Sequence, residues 1–171
     1  FGCLPWVLDE YGLGEMCYEL TVEGIRRVKE AAAELGLEDE TFVACSLGPG
    51  TKLPSLGHIE FDEMRAGYEL SIGAAIDAKA DIILFETCQD PLQIKAALIG
   101  AEDAFCAKGV RLPVMVSATI ETNGSMLIGT DAKTLAAILA PFDILTLGFN
   151  CGTGPKEVAK HVKTLSELWG K

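Results

Sequence analysis

The feature that most constrains the fold is a fourfold alternation between short apolar runs and longer helical patterns. Apolar runs rich in β-branched residues predict strands at residues 41–47, 81–86, 112–120 and 143–148. Apolar residues spaced three and four apart predict helices at residues 21–35, 61–79, 91–108, 131–139 and 155–169. Strands and helices that alternate over short connections predict an α/β fold with a parallel sheet. We expect these strands to be buried on both faces.

Local signals define several ends of these elements. Asp90 followed by Pro91 is typical of a helix start, because the aspartate caps free backbone N–H groups and proline lacks one. Gly36 is suited to end the first long helix. That helix is expected to bury Ile25, Val28, Ala32 and Leu35. Residues 1–14 are predicted to be irregular, because Pro5, Gly12 and Gly14 break regular structure.

Two architectures fit this alternation, an open doubly wound sheet and a (β/α)8 barrel. No predicted strand is followed by the GxGxxG pattern of a dinucleotide-binding fold. A complete barrel takes about 250 residues. With 171 residues and four predicted strands, the chain is too short to close a barrel by itself.

Composition excludes several classes of function. The chain carries 25 acidic and 14 basic side chains, for a net charge of −11. An acidic surface repels phosphate groups, so neither nucleic acid nor an anionic membrane is an expected partner. No apolar run approaches the roughly 18 residues that a membrane-spanning helix needs.

The six cysteines form no CxxC motif and are too sparse for a disulfide scaffold. This pattern favours a reducing cytoplasm. The N-terminus has no basic segment, so a signal peptide is not predicted. It also has no initiator methionine, which suggests that the chain starts inside a longer protein.

Residues 145–155 have the strongest chemical character, because a predicted strand runs there into a glycine-rich turn. Cys151 lies in this turn, just before the helix that Pro155 begins. Proteins with parallel sheets place their chemistry at the C-terminal ends of the strands. A free cysteine is also a common core residue, so a buried structural role for Cys151 is the alternative.

Polar residues also lie at the ends of the other strands. Ser46 is near the end of the first, Glu86 ends the second, and Asn150 follows the fourth. An ionised glutamate at the end of an apolar strand needs a partner. That partner is either a structural cation or a ligand, for which an amino group is the natural choice.

A zinc site made of Cys45, Cys88 and Cys151 is one further alternative, because thiolate is a natural zinc ligand and catalytic zinc sites use three protein ligands with one open position. Nothing in the spacing of these cysteines requires it. The two histidines are expected to be ordinary, with His58 in a loop and His161 on a solvated helix face.

Three segments carry a resemblance to a known family. They are VACSLGPGTKLPSLGH at residues 43–58, FETCQD at residues 85–90 with KAA at residues 95–97, and GFNCGTGP at residues 148–155. Together they resemble the homocysteine-binding domain of cobalamin-dependent methionine synthases. The resemblance extends from the region of Tyr11 to Leu168.

The resemblance implies a (β/α)8 TIM barrel. Residues 1–171 would then be an internal part of that barrel domain, with about four parallel strands and flanking helices. The family's opening strand has an Asp-Gly-Ala-Met-Gly pattern that this chain lacks. The chain also lacks the family's later Gly-Gly-Cys-Cys-Gly segment.

The implied activity is the zinc-dependent transfer of a methyl group from methylcobalamin to homocysteine, which forms methionine. By resemblance, Cys151 is one of three cysteine ligands of the zinc ion, and the other two belong to the missing segment. Glu86 is implied to bind the amino group of homocysteine. Asn150 and Ser46 are expected to make further polar contacts with the substrate.

The implied partners are homocysteine, a cobalamin-binding domain and a methyltetrahydrofolate-binding domain, in the cytoplasm. The chain alone is expected to be inactive, because it holds one zinc ligand of three. Cys45 stands where the family has a glycine, so its role stays open, as does that of Cys88.

Two other functions remain open from the sequence. A related homocysteine methyltransferase takes its methyl group from betaine or S-methylmethionine, although the segment at residues 54–58 favours the cobalamin type. The other is a barrel fragment without catalytic activity, which binds a partner or folds poorly.

Overall fold

The computed structural model describes residues 1–170, which form an α/β fold with every predicted strand and helix present. The strands are β1 (Ala44–Leu47), β2 (Ile82–Cys88), β3 (Val114–Ala118) and β4 (Thr146–Phe149). The helices are α1 (Pro5–Leu8), α2 (Cys17–Glu34), α3 (Phe61–Asp77), α4 (Pro91–Lys108), α5 (Ala132–Leu139) and α6 (Pro155–Leu168). Short 3-10 turns cover Asp9–Tyr11, Gly14–Met16 and Pro54–Leu56.

The order of the strands decides between the two candidate architectures. All neighbouring strands are parallel, and their order in the sheet is β1-β2-β3-β4. The helices α2 to α6 also pack against one another in chain order. A doubly wound sheet reverses its strand order at a switch point, whereas a (β/α)8 barrel keeps chain order throughout. The fold is therefore an arc of four consecutive units of a TIM-barrel type of sheet, open at β1 and β4 among residues 1–170.

The prediction that both faces of the strands are buried is wrong. Buried and less buried residues alternate along β2 and β3, so only the face that carries the helices is fully buried. The opposite face is partly open, and its apolar part includes Ile82, Leu84 and Met115. This face corresponds to the inside of a barrel, and an arc of four strands cannot enclose it. Within the same described residues, no helix combines the length and apolar character that crossing a bilayer requires.

The first fourteen residues are more regular than predicted, because Pro5 starts the helical turn α1 instead of breaking it. Trp6 of this turn is 2% exposed and packs edge-on against Tyr68, with ring centroids 5.2 Å apart. A Cβ atom at Gly67 would lie 2.7 Å from the Trp6 ring. The small glycine on α3 therefore provides the space in which the N-terminal segment packs on the fold.

The buried face of α2 also differs from the prediction. The helix begins at Cys17, and its buried residues are Cys17, Thr21 and Ile25. Val28 is 54% exposed and Leu35 is 73% exposed, so only one of the predicted core residues of this helix is buried. The C-terminal half of α2 therefore contributes little to the buried core.

Helix α4 matches its predicted bounds because its ends carry strong local signals. The Asp90 side chain accepts a hydrogen bond from the Leu92 N–H at 2.8 Å, and Pro91 is the first helical residue. Gly109 ends the helix in the left-handed conformation, with φ of 65°. Where capping residues define both ends, sequence alone determines the bounds of a helix.

Gly100 allows α3 and α4 to approach closely. A Cβ atom at this position would lie 2.6 Å from the Arg65 carbonyl oxygen and 3.1 Å from the Glu69 nitrogen. Both are backbone atoms of α3, which cannot rotate away as a side-chain end can. Gly73 of α3 is different, because its Cβ would meet only the Lys108 side chain at 3.7 Å.

We predict that Gly100→Ala lowers the stability by about 1–3 kcal/mol, because the added methyl group forces the two helices apart. Gly73→Ala is the matched control. It is expected to leave the stability unchanged or to raise it by up to about 1 kcal/mol, since alanine favours the helix. Thermal denaturation of both variants of the native full-length protein tests this pair. Equal melting temperatures would contradict the close approach at Gly100.

Candidate functional site

The candidate site lies at the C-terminal ends of the four strands, which meet at one edge of the sheet. The register pairs Ser46 with Leu84, two residues before Glu86, and Ser117 with Gly148, two residues before Asn150. Parallel pairing therefore brings the polar residues at the strand ends together on the open face of the sheet. Ser46, Glu86 and Asn150 all lie there as predicted, and Ser117 joins them.

Glu86 is the carboxylate of this edge, and it is half-buried. The Ser46 hydroxyl donates a hydrogen bond to its Oε2 atom at 2.6 Å, which links β1 to β2. Among residues 1–170, no lysine, arginine or histidine forms an ion pair with this carboxylate. Within residues 1–170, no cationic side chain therefore balances the charge of the Glu86 carboxylate.

A β-bulge at the end of β2 contains Glu86 and Thr87. Phe85 pairs with Val116 and Cys88 pairs with Ala118, so β2 holds one more residue than β3 over this interval. Thr87 adopts a left-handed conformation with φ of 61°. For a β-branched residue this conformation costs about 1–2 kcal/mol, so neighbouring interactions must hold it in place.

The Asn150 side chain supplies those interactions. Its Oδ1 atom accepts from the Thr87 N–H at 3.3 Å and from the Ser117 hydroxyl at 2.6 Å. Its Nδ2 atom donates to Thr87 Oγ1 at 2.7 Å and to Cys151 Sγ at 3.3 Å. The backbone N–H of Asn150 also donates to the Ala118 carbonyl at 3.0 Å. One amide therefore connects the ends of β2, β3 and β4.

Cys151 is exposed, so the buried structural role that the sequence left open is wrong. It has φ of 56° and is followed by Gly152 with φ of 65°. A Cβ atom at Gly152 would collide with the Ile120 carbonyl oxygen, so only glycine fits the turn. The turn closes with a hydrogen bond from the Thr153 N–H to the Cys151 carbonyl at 2.6 Å.

The other two cysteines of the alternative zinc site do not join Cys151. Cys45 and Cys88 are buried on the helix-covered face of the sheet. Burial raises the pKa of Cys45 to about 11, and burial together with the nearby Glu86 carboxylate raises that of Cys88 to about 12. Within residues 1–170, no group of three cysteine, histidine or acidic side chains has the arrangement of a metal site. The described residues thus exclude the site made of Cys45, Cys88 and Cys151.

The segment that follows β1 is held by a buried aspartate. Asp90 is fully buried and accepts hydrogen bonds from the Ser55 N–H at 2.9 Å and from the Ser55 hydroxyl at 2.7 Å. The same carboxylate caps α4, so it fixes the loop and the helix together. The local sequence indicates only the helix-capping role of Asp90, because Ser55 is 35 residues away.

Both histidines make contacts within the fold. His58 lies in a loop as predicted, and its Nδ1 atom accepts from the Leu53 N–H at 3.3 Å. His161 is not on a solvated helix face, because it is half-buried and packs edge-on against Phe149 at 6.4 Å. Partial burial lowers the pKa of His161.

Thr87 and Ser117 are the residues of this site whose roles the sequence did not reveal. Thr87 was visible only as the neighbour of Glu86, and Ser117 only as a polar residue in an apolar strand. The only sequence signal for Ser117 was its position near the end of a predicted strand. No sequence signal indicated the left-handed conformation of Thr87, because such a position is usually occupied by glycine or asparagine.

Comparison with known proteins assigns this chain to a family. The sequence model of the family described as homocysteine S-methyltransferase matches residues 1–171. This chain belongs to the homocysteine S-methyltransferase family. The resemblance seen in the three sequence segments is therefore confirmed at the level of the whole chain.

Two curated proteins are similar to nearly the full length of this chain. The methionine synthase of Mycobacterium leprae (strain TN) is 39% identical over 168 residues, which cover 98% of this chain. That of Mycobacterium tuberculosis (strain ATCC 25618 / H37Rv) is 39% identical over 167 residues, which cover 97%. In each case the chain spans 14% of the relative's length.

Solved structures of the homocysteine methyltransferase MmuM from Escherichia coli share the fold. The metallated form aligns with a TM-score of 0.76 at 24% identity and covers 98% of this chain and 61% of that one. The apo form aligns with a TM-score of 0.67 at 25% identity, over 88% of this chain and 55% of that one. These alignments support the assignment of the four-stranded arc to the TIM-barrel family.

The different surroundings of the cysteines predict different reactivity. Cys106 and Cys151 are exposed, so in the metal-free protein both should react within minutes with a disulfide reagent such as DTNB at pH 8. Cys45 and Cys88 should react only after unfolding, because burial and raised pKa values keep them protonated. Mapping the labelled peptides by mass spectrometry checks this order. Early labelling of Cys88 would contradict the buried position.

Proposed function

We propose that this chain contributes the amino-group side of a homocysteine site and one of the ligands that bind the substrate sulfur, in an enzyme that methylates homocysteine to methionine. The observation that carries the proposal is the half-buried Glu86 carboxylate, for which residues 1–170 provide no cationic partner. The family to which the chain belongs supports homocysteine as the substrate.

Glu86 is suited to bind an ammonium group. A carboxylate and a cation form a charge-assisted hydrogen bond that is about twice as strong as a neutral one. The Ser46 hydroxyl donates a hydrogen bond to Oε2 and so holds the carboxylate in one orientation, while the other acceptor positions of Glu86 stay available to a ligand. We propose that Ser46 acts in this way, as an orienting partner of Glu86 beside the bound amino acid.

Cys151 is proposed as one zinc ligand. It is an exposed thiol in a rigid glycine turn on the same edge of the sheet as Glu86. The described residues supply no second or third thiolate beside it, so by themselves they do not fit a catalytic zinc ion. The remaining ligands would have to come from outside residues 1–170.

We propose methylcobalamin, carried on a separate domain, as the methyl donor, with a methyltetrahydrofolate-binding domain as a further partner. The similarity to methionine synthases and the segment at residues 54–58 support this choice over betaine or S-methylmethionine. The six free thiols support a reducing cytoplasm as the site of action.

Glu86→Gln tests the role of the carboxylate, because it keeps the shape of the side chain and removes its charge. In the native full-length protein we expect homocysteine binding to weaken by roughly 1.5–3 kcal/mol, the range for hydrogen bonds to charged groups. Isothermal titration calorimetry measures the change. Glu19→Gln is the matched control, since Glu19 is exposed on α2 and should leave the affinity unchanged. An unaltered affinity in Glu86→Gln would reject the proposed role.

Cys151→Ser tests the metal ligand. A hydroxyl stays protonated near neutral pH and binds zinc poorly, so the native full-length protein should lose zinc and methyl transfer. The melting temperature should change little, because the residue lies on the exposed edge. Cys106→Ser is the control, as its thiol is exposed on α4 away from this edge. Full zinc occupancy with normal turnover in Cys151→Ser would remove the ligand assignment.

A further inference from the structure

The Asn150 amide differs from the other polar side chains of the site in having no hydrogen-bonding capacity left. An asparagine side chain offers two lone pairs on Oδ1 and two N–H groups on Nδ2. Thr87 N–H and Ser117 Oγ occupy the oxygen, while Thr87 Oγ1 and Cys151 Sγ occupy the nitrogen. A substrate could bind this amide only by displacing one of these partners.

The partners themselves indicate what the amide does. Two of its four hydrogen bonds go to Thr87, one to the backbone N–H and one to the side chain. Thr87 has the unfavourable φ of 61° and follows Glu86 directly in the β-bulge. If Thr87 returned to an extended conformation, the peptide that carries Glu86 would rotate, and the carboxylate would leave its position beside Ser46.

We propose that Asn150 is a positioning residue, which holds Thr87 in the left-handed conformation and so fixes the direction of Glu86, rather than a contact to homocysteine. The inference rests on the proposed function of Glu86 and adds a residue that acts through it. It replaces the expectation from the sequence that Asn150 touches the substrate.

A double-mutant cycle separates these two roles. In the native full-length protein, Asn150→Ala should raise the KM for homocysteine about tenfold, the effect of losing about one well-placed hydrogen bond. In a Glu86→Gln background the same change should raise KM by less than about twofold, because the carboxylate through which Asn150 acts is already gone. Asn123→Ala is the matched control, since Asn123 is exposed in the turn after β3 and should not change KM.

The results of this cycle distinguish positioning of Glu86 from a direct contact between Asn150 and homocysteine. An equal rise of KM in both backgrounds would show that Asn150 contacts the substrate independently of Glu86, and it would overturn the positioning role while the proposed function stands. A lower melting temperature and kcat with unchanged KM would show a merely structural role, which also overturns it. If Glu86→Gln alone leaves KM unchanged, the proposed function and the positioning role both fail.

A milder variant keeps the inference testable if Asn150→Ala does not fold. Ser117→Ala removes one hydrogen bond at 2.6 Å and leaves the amide with its three other partners. It should raise the KM for homocysteine about threefold, and this rise should again disappear in the Glu86→Gln background. A rise that persists there would count against positioning through Glu86.

Discussion

Packing of the helices on one face of a parallel sheet is the constraint on which the rest of this structure depends. Buried side chains of β1, β2 and β3 face α3 and α4, and the rings of Trp6, Tyr68 and Phe85 continue this core without a break. All neighbouring strands are parallel, so each strand begins at the same edge of the sheet and a helical crossover returns the chain to that edge. The C-terminal ends of all four strands consequently meet at the opposite edge, where the candidate site lies.

At that edge, one extra residue in β2 changes which side chains face the helices. Without the bulge, regular alternation would turn the residue after Glu86 toward the helices. With it, Cys88 takes the buried position beside Ala118, while Glu86 lies on the open face as the regular alternation of β2 already requires. The bulge depends on the left-handed Thr87, and the Asn150 amide from β4 stabilises that conformation. The candidate substrate site is thus a property of three strands together.

The cysteines show how strongly position decides the chemistry of one side-chain type. Cys88 and Cys151 both follow strand residues at the same end of the sheet, yet one is buried and the other exposed. Burial disfavours the charged thiolate and raises the pKa of Cys88 to about 12, which removes it as a nucleophile or ligand at neutral pH. Cys151 is exposed, because the glycine turn lifts it out of the core.

The sequence by itself determined the elements whose signals are local. Periodicity and caps predicted α4 with its correct bounds, and the strand ends predicted Ser46, Glu86, Asn150 and Cys151 as one group. Only the tertiary structure decided how many faces of the sheet are buried, because burial depends on what encloses the strands. It also decided the face of α2 and the partners of Asn150. Apart from the adjacent Cys151, those partners lie 63 residues away on β2 and 33 residues away on β3, and no local pattern encodes a contact at such a separation.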